Sequence, residues 1–289
     1  MISVRLNGRL GNQLFQYAFA YTAAKQLKTS FYIDQYNEKF IAGKYFKNLT
    51  PKGSTFIINL FGITGFKNFF SFYLCRFYYD YVAKLYKLST EKYDFNVPLT
   101  AITLRDSVLY EGYFQSQLFF KSAENSIRNK FTLKKKITEQ FRLKYGLLYQ
   151  NNSIVTVHIR RTDYQDLRHL NLGGDDLSLP LKYYKKAIAN YDGQNIHFVF
   201  ISDELDFVKQ HFEEISNKTI AAETEIMDFQ HLLNADGCII SNSTFSWWGA
   251  WLNNKPDKII YAPKYFMGWR IKKETPWEIY PKEWIQIDF

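Results

Sequence analysis

Ile2-Ser3-Val4-Arg5-Leu6-Asn7-Gly8-Arg9-Leu10-Gly11-Asn12-Gln13 decides the fold class. Ile2 to Leu6 is a short apolar strand. Asn7 to Gly11 is a glycine turn, where Gly8 and Gly11 permit positive φ and close approach of a ligand. From Asn12 to Lys28 the pattern is helical, with Leu14, Tyr17, Ala18 and Tyr21 recurring on one face. Phe31-Tyr32-Ile33 starts a second strand. Strand, turn, helix, strand is a βαβ unit, and it predicts a parallel sheet.

The alternation resumes further along the chain. Val108-Leu109-Tyr110 reads as a strand, and Lys121 to Leu148 as charged helix. Gln150-Asn151-Asn152 interrupts that pattern, so a domain boundary is placed near 150. The strands Ile154–Ile159, Ile196–Ile201, Gly237–Ser241 and Ile259–Tyr261 then alternate with helices over Tyr183–Asn190 and Ser246–Asn253. Ser202 reads as an N-cap, with Asp203 and Glu204 in the first turn of the helix it begins. The expectation is two α/β domains, 1–150 and 151–289, facing each other across a cleft at the carboxyl ends of the strands. The final elements are candidates to pack back on the first domain.

Composition narrows the classes. A chain of 289 residues with 46% hydrophobic residues has material for a large core, and its mean hydropathy is −0.32. Net charge is +9, which suits an anionic ligand or surface. Lys134-Lys135-Lys136 reads as a solvated helix face. Cys75 and Cys238 lie far apart, with no C-x-x-C pair, so a disulfide framework or zinc site is not expected and a reducing, cytoplasmic setting fits. No uninterrupted run of about 18 apolar residues exists. The nearest candidate, Phe56 to Leu74, is broken by Asn59, Lys67 and Asn68. The aromatic and basic stretch Phe69–Tyr86 is a candidate peripheral membrane contact at the inner face, against the simpler reading of a buried helix.

Four segments can carry chemistry. His158-Ile159-Arg160-Arg161-Thr162-Asp163 follows an apolar strand, and two arginines beside a carboxylate match a pyrophosphate. The simpler reading is a surface salt bridge. Asn242-Ser243-Thr244-Phe245-Ser246 lies between a strand and a helix, where amides and hydroxyls make an anion site; plain N-capping is the alternative. The Gly8–Gln13 turn lacks both the G-x-G-x-x-G spacing and a Walker lysine, which disfavours a nicotinamide cofactor. Asp228 is a carboxylate suited to a guanine edge, or simply a helix-start residue.

Together these segments resemble the α-1,2-fucosyltransferase family. The resemblance rests on Gly8-Arg9-Leu10-Gly11-Asn12-Gln13-Leu14-Phe15-Gln16-Tyr17-Ala18, Gly112-Tyr113-Phe114-Gln115-Ser116, His158 to Tyr164, Ile201-Ser202-Asp203, Ser241 to Leu252, and Tyr261-Ala262-Pro263-Lys264. It implies a GT-B fold of two Rossmann-like domains, an acceptor-side N-terminal domain and a C-terminal domain that binds GDP-β-L-fucose. It further implies inverting transfer to the 2-hydroxyl of a galactose-containing acceptor, with neither metal nor other cofactor. Arg160 then neutralises the donor pyrophosphate, Asn12 lies beside the donor, and Asp163 orients Arg160 or serves with Asp166 as a candidate base. His158, Arg161, Asp228, Asn242, Ser243, Thr244, Phe245, Ser246 and Gly11 are implied donor contacts. Two departures stand out: position 162 is Thr where relatives carry Gly, and the segment before Gly237 lacks their Met-Ser-x-Cys wording. Residues 40 to 105 match least, which leaves the acceptor open.

Two other readings are weighed. One is a transferase using another nucleotide sugar. The other is a basic, aromatic-rich protein that binds nucleic acid or a membrane surface without catalysis. Ordered polar motifs at strand ends favour the enzyme, and nucleic acid is not an expected partner.

Overall fold

A computed structural model describes residues 1–47, 49 and 69–289, the side chains of 69–72 excepted. Phe56 to Asn68, most of the longest apolar stretch, lies outside the described residues. The chain divides into two compact units, Met1–Leu133 and Lys134–Phe289.

In the first unit, β1 (Ile2–Arg5) runs into helix α1 (Leu10–Gln26) and then β2 (Phe31–Asp34). The helix begins two residues earlier than its periodicity predicts, because Gly11 and Asn12 fall inside its first turn. A short helix α2 (Ala42–Tyr45) and helix α3 (Phe69–Leu85) precede β3 (Ser89–Lys92) and β4 (Val108–Glu111). The four strands form a parallel sheet in the order β2-β1-β4-β3. Strand β3, Ser-Thr-Glu-Lys, is too polar to be read from hydrophobic pattern; it is a mostly exposed edge. Helix α1 is buried almost all round, and its Phe19 stacks on Phe114 at 3.8 Å between ring centroids. Helix α4 (Glu124–Lys130) ends the unit.

The second unit starts with helix α5 (Lys135–Asn151), which packs on the helix carrying Asp228. The boundary expected near 150 therefore falls at the end of this helix rather than before it. The strands β5 (Ser153–Ile159), β6 (Ile196–Ser202), β7 (Lys218–Ala221), β8 (Gly237–Ile239), β9 (Ile259–Pro263) and β10 (Ile285–Ile287) form a six-stranded parallel sheet. Its order is β10-β9-β8-β5-β6-β7. Helices α6 (Leu181–Ile188), α7 (Leu205–His211), α8 (Glu225–Asn234) and α9 (Thr244–Leu252) connect them. Val155, Val157 and Ile159 of β5 sit at the centre of one core cluster with Tyr183, Phe200, Phe212 and Ile239.

The strand order makes a switch point. From β5 the chain winds outward through β6 and β7, then returns to lay β8 on the other flank of β5. Loops leaving β5 and β8 diverge there, and open parallel sheets bind ligands at that place. Helix α9 follows β8 and packs closely on α8. A methyl group built on Gly249 would meet the Leu232 side chain at 2.6 Å, so only glycine permits this approach.

Candidate functional site

The strand β5 delivers His158 to the switch point. Its ring is buried, and its Nδ1 lies 2.8 Å from the Ser241 hydroxyl, just beyond β8. Burial and the nearby Arg160 charge push the imidazole down to about 3. The ring is therefore neutral at physiological pH, and His158 is removed as a proton acceptor there. It also packs on Phe245 of α9, 5.4 Å between centroids.

Arg160 follows by two residues. Its guanidinium meets Asp163 at 2.7 Å and Asp203 at 3.2 Å, and its side chain is 17% exposed. The register explains the second partner. Ile159 pairs with Ser202, so the next residues off the two strand ends, Arg160 and Asp203, are neighbours. Asp203 also accepts from the Arg161 amide at 2.9 Å and the Thr162 hydroxyl at 2.5 Å. The threonine at position 162 thus ties the loop to Asp203 with a hydroxyl that glycine lacks. Arg161 points elsewhere. Its Nε donates to Glu204 at 2.6 Å, and its guanidinium lies 4.0 Å from the centre of the Phe207 ring.

This corrects the reading of Ser202 to Glu204 as a capped helix start. Helix α7 begins only at Leu205, with no side-chain cap from Glu204. Ser202 accepts from the Glu204 amide, while Asp203 and Glu204 serve the arginine loop. A carboxylate one residue past a neighbouring strand end was the missed signal.

The loop into α9 forms the other wall. The described helix starts at Thr244, two residues before the predicted start, and Ser243 stands at its N-cap without capping it through its side chain. Tyr164 lies between the two walls: its ring is 5.8 Å from the Arg160 guanidinium carbon, and burial raises the pKa of its hydroxyl while the nearby Ser243 side chain acts to lower it. Ser246 donates back to the Ser243 carbonyl at 3.2 Å. Asn242 is fully buried; its amide donates to the Leu177 carbonyl at 2.8 Å, and its carbonyl oxygen has no protein partner. A guanidinium, hydroxyls and a helix N-terminus at one strand-end junction suit a phosphate or diphosphate.

Asp228 lies in the first turn of α8, beside Phe229, whose ring packs on Phe245 at 5.3 Å. One of its carboxylate oxygens is buried with no hydrogen-bond partner. Burial, then repulsion from Glu223 and Glu225, pushes the carboxyl up to about 7. Such a group accepts hydrogen bonds from a ligand N–H more readily than it holds an isolated charge.

Among the remaining predicted residues, Gly11 and Asn12 sit in the first turn of α1, in the first unit. The Asn12 carbonyl oxygen accepts from the Gln115 amide at 3.0 Å. Gly8 has φ +79°, and a methyl there would strike the Asn12 amide nitrogen at 2.3 Å. The turn and the asparagine are thus one unit of packing. Gln13 and Gln16 are committed to the backbone. Gln13 binds the Gly8 and Lys39 carbonyls and the Ile41 amide, and Gln16 binds the Asn7 amide and Gly112 carbonyl. Asp166 pairs with Arg168 at 2.8 Å on the surface.

Comparison with known proteins gives the family and the fold. The pattern of glycosyl transferase family 11 matches residues 76–288. An alpha-1,2-colitosyltransferase of Escherichia coli is 27% identical, spanning 100% of this chain and 99% of its own. The O-antigen biosynthesis glycosyltransferase WbnK of Escherichia coli is 26% identical, over 91% of this chain and 94% of its own. Among solved structures, the fucosyltransferase NodZ from Bradyrhizobium superposes with a TM-score of 0.50 at 13% identity, over 86% of this chain and 91% of that one. POFUT1 in complex with GDP-fucose gives 0.50 at 13% identity, over 90% and 97%. At that identity the likeness establishes the fold, two parallel α/β units of the GT-B type. With the family pattern spanning most of its length, the chain belongs to glycosyl transferase family 11.

Proposed function

We propose that this glycosyltransferase moves L-fucose from GDP-β-L-fucose to the 2-hydroxyl of a galactoside, with inversion at the anomeric carbon. The observation that carries the reading is Arg160. It is held by Asp163 and Asp203 at the β5/β8 switch point, with the Tyr164 ring 5.8 Å from its guanidinium carbon. In the reaction the acceptor oxygen attacks C1 of fucose from the face opposite GDP, and the bond from C1 to the β-phosphate oxygen breaks. Negative charge grows on that phosphate. Arg160 and the start of α9 stabilise it without a metal, and their carboxylate-fixed geometry lowers the reorganisation needed. Asp163 and Asp203 are positioning groups for Arg160, so the acceptor proton passes to water or to the departing phosphate as the new bond forms. Asn12 is assigned a contact with the donor. Asp228 accepts the guanine N–H groups, which matches its partnerless buried oxygen.

A second donor is favoured by one finding: a relative matching the whole chain is named a colitosyltransferase. Colitose is fucose without its 3-hydroxyl, and the phosphate and base chemistry of this site is the same for both. Incubation with GDP-fucose or GDP-colitose and a panel of galactosides, with linkage read by NMR, decides. A 1,2-linked fucosyl galactoside is the expected product. Turnover of GDP-colitose alone selects the second reading, and turnover of neither overturns both.

A further inference from the structure

Helix α3 presents an unusual face. Tyr79 is fully buried, and Arg76 lies over the Tyr36 ring at 4.7 Å, so one side of the helix is packed on the first unit. The opposite side carries Tyr73, Leu74, Phe77, Tyr81 and Leu85, all roughly half exposed or more, with Phe77 at 73%. At 100° per residue these five fall within a single arc of about 120°. The exposed Asp80 lies just outside one edge of it, and Lys84 falls within that edge, between Tyr73 and Phe77. The simpler expectation for this stretch, a buried helix, is therefore wrong for its outward face. A contiguous apolar strip of this kind marks an interaction surface rather than scattered exposure.

Charge identifies the partner. Between residues 39 and 92 there are nine basic residues and two acidic ones, Asp80 and Glu91, a net +7 out of +9 for the whole chain. The positive excess is thus concentrated in the segment that bears the apolar strip. No helix among the described residues is long and apolar enough to cross a membrane. An apolar, aromatic helix face with the exposed Lys84 and Lys87 at its end, in a segment of net positive charge, suits the plane of an anionic bilayer, with rings in the acyl boundary and lysines at the headgroups.

We infer that α3 docks the enzyme on an anionic phospholipid surface. The proposal is independent of the donor and acceptor assigned above. The full chain is sedimented with vesicles of phosphatidylcholine alone or with about 30% phosphatidylglycerol. The expected result is binding to the anionic vesicles only, weakened by added salt. Phe77→Glu/Tyr81→Glu, changes at exposed positions, should reduce the bound fraction at least tenfold with circular dichroism unchanged. Lys84→Glu/Lys87→Glu should reduce it severalfold. Leu143→Glu/Leu147→Glu, which alters the exposed leucines of α5, should leave it unchanged. As a measurement that leaves the fold intact, Phe77→Trp should show a blue-shifted emission on anionic vesicles, quenched by brominated lipid. Absent binding to anionic vesicles overturns the proposal, as does binding indifferent to Phe77→Glu/Tyr81→Glu. A self-associated chain that this double change makes monomeric, without lipid binding, assigns the strip to a second copy instead.

Discussion

The two sheets of this protein are both parallel and differ in how the chain winds through them. From β1 the chain goes to the edge strand β2, crosses to the far edge β3 and only then fills the place of β4 beside β1, whereas from β5 it runs out through β6 and β7 and returns to β8, which makes a switch point. At the first junction Arg5 is locked between Asp34 at 3.2 Å and Glu111 at 2.7 Å, and the amides of Gln13 and Gln16 are spent on backbone groups. Asp34 is fully buried, and burial pushes its carboxyl up despite Arg5. This junction is neutralised internally. At the second, Arg160 is oriented by two carboxylates at a partly open position, beside a helix start that its N-cap side chain leaves uncapped. Arg5 and Arg160 are almost equally exposed, at 15% and 17%, so the contrast lies in their partners: Asp34 is fully buried, whereas Asp163 is 45% exposed and leaves one side of the second arginine's ion pair open to a ligand.

That contrast breaks most readily at Arg5. Arg5→Ala leaves the fully buried Asp34 without its cation, while Glu111 keeps Lys92, and should cost about 3–5 kcal/mol of stability. Denaturant unfolding would measure it, while GDP affinity measured at low temperature stays within about twofold. Equal loss of affinity and stability would erase the distinction between the junctions.

A test by pH sharpens the ligand side. If Asp228 accepts two guanine N–H bonds, binding favours its ionised form and releases a proton. With the free group at about 7, GDP affinity should rise roughly tenfold from pH 6 to pH 8. Asp228→Asn should bind more weakly at pH 8 and lose the pH dependence. The sign for stability is opposite. A carboxyl whose folded value is raised favours the folded state at low pH, and that advantage is lost as pH rises through about 7. Asp228→Asn should therefore melt higher than the parent at pH 8 without nucleotide. A flat affinity profile in the parent would remove Asp228 from the base pocket.

The smallest effect is expected at Arg161. Its side chain is spent on Glu204 and Phe207. Arg161→Ala should lower kcat by about tenfold or less, through a looser loop, as an exposed or half-exposed ion pair contributes about 1 kcal/mol. A loss as large as that from Arg160→Ala would mean that Arg161 touches the donor.

The alternating βα pattern was legible because β5 and β6 are apolar runs with β-branched residues, and because glycine turns punctuate the chain. The edge strands β3, β7 and β10 were not, since Ser-Thr-Glu-Lys, Lys-Thr-Ile-Ala and Ile-Gln-Ile each mix polar residues into a very short strand with no glycine turn beside it. Local motifs exposed Arg160, Asp163 and the Ser243–Ser246 segment. The roles of Asp203, Tyr164 and Ser241 depend on strand register and on contacts between loops distant in sequence. No local pattern encodes those. The stretch forming α3 was legible only as two readings, a surface contact or a buried helix, because apolar residues read as core until their neighbours are known.

The central claim is that Arg160 bears the charge of the leaving nucleotide. Arg160→Ala, measured as kcat with GDP-fucose and a galactoside acceptor alongside its circular dichroism spectrum, tests it most directly. The variant should be a folded protein with kcat reduced about 100- to 1000-fold, or roughly 3–4 kcal/mol of barrier. A folded variant turning over at near the parent rate would contradict it.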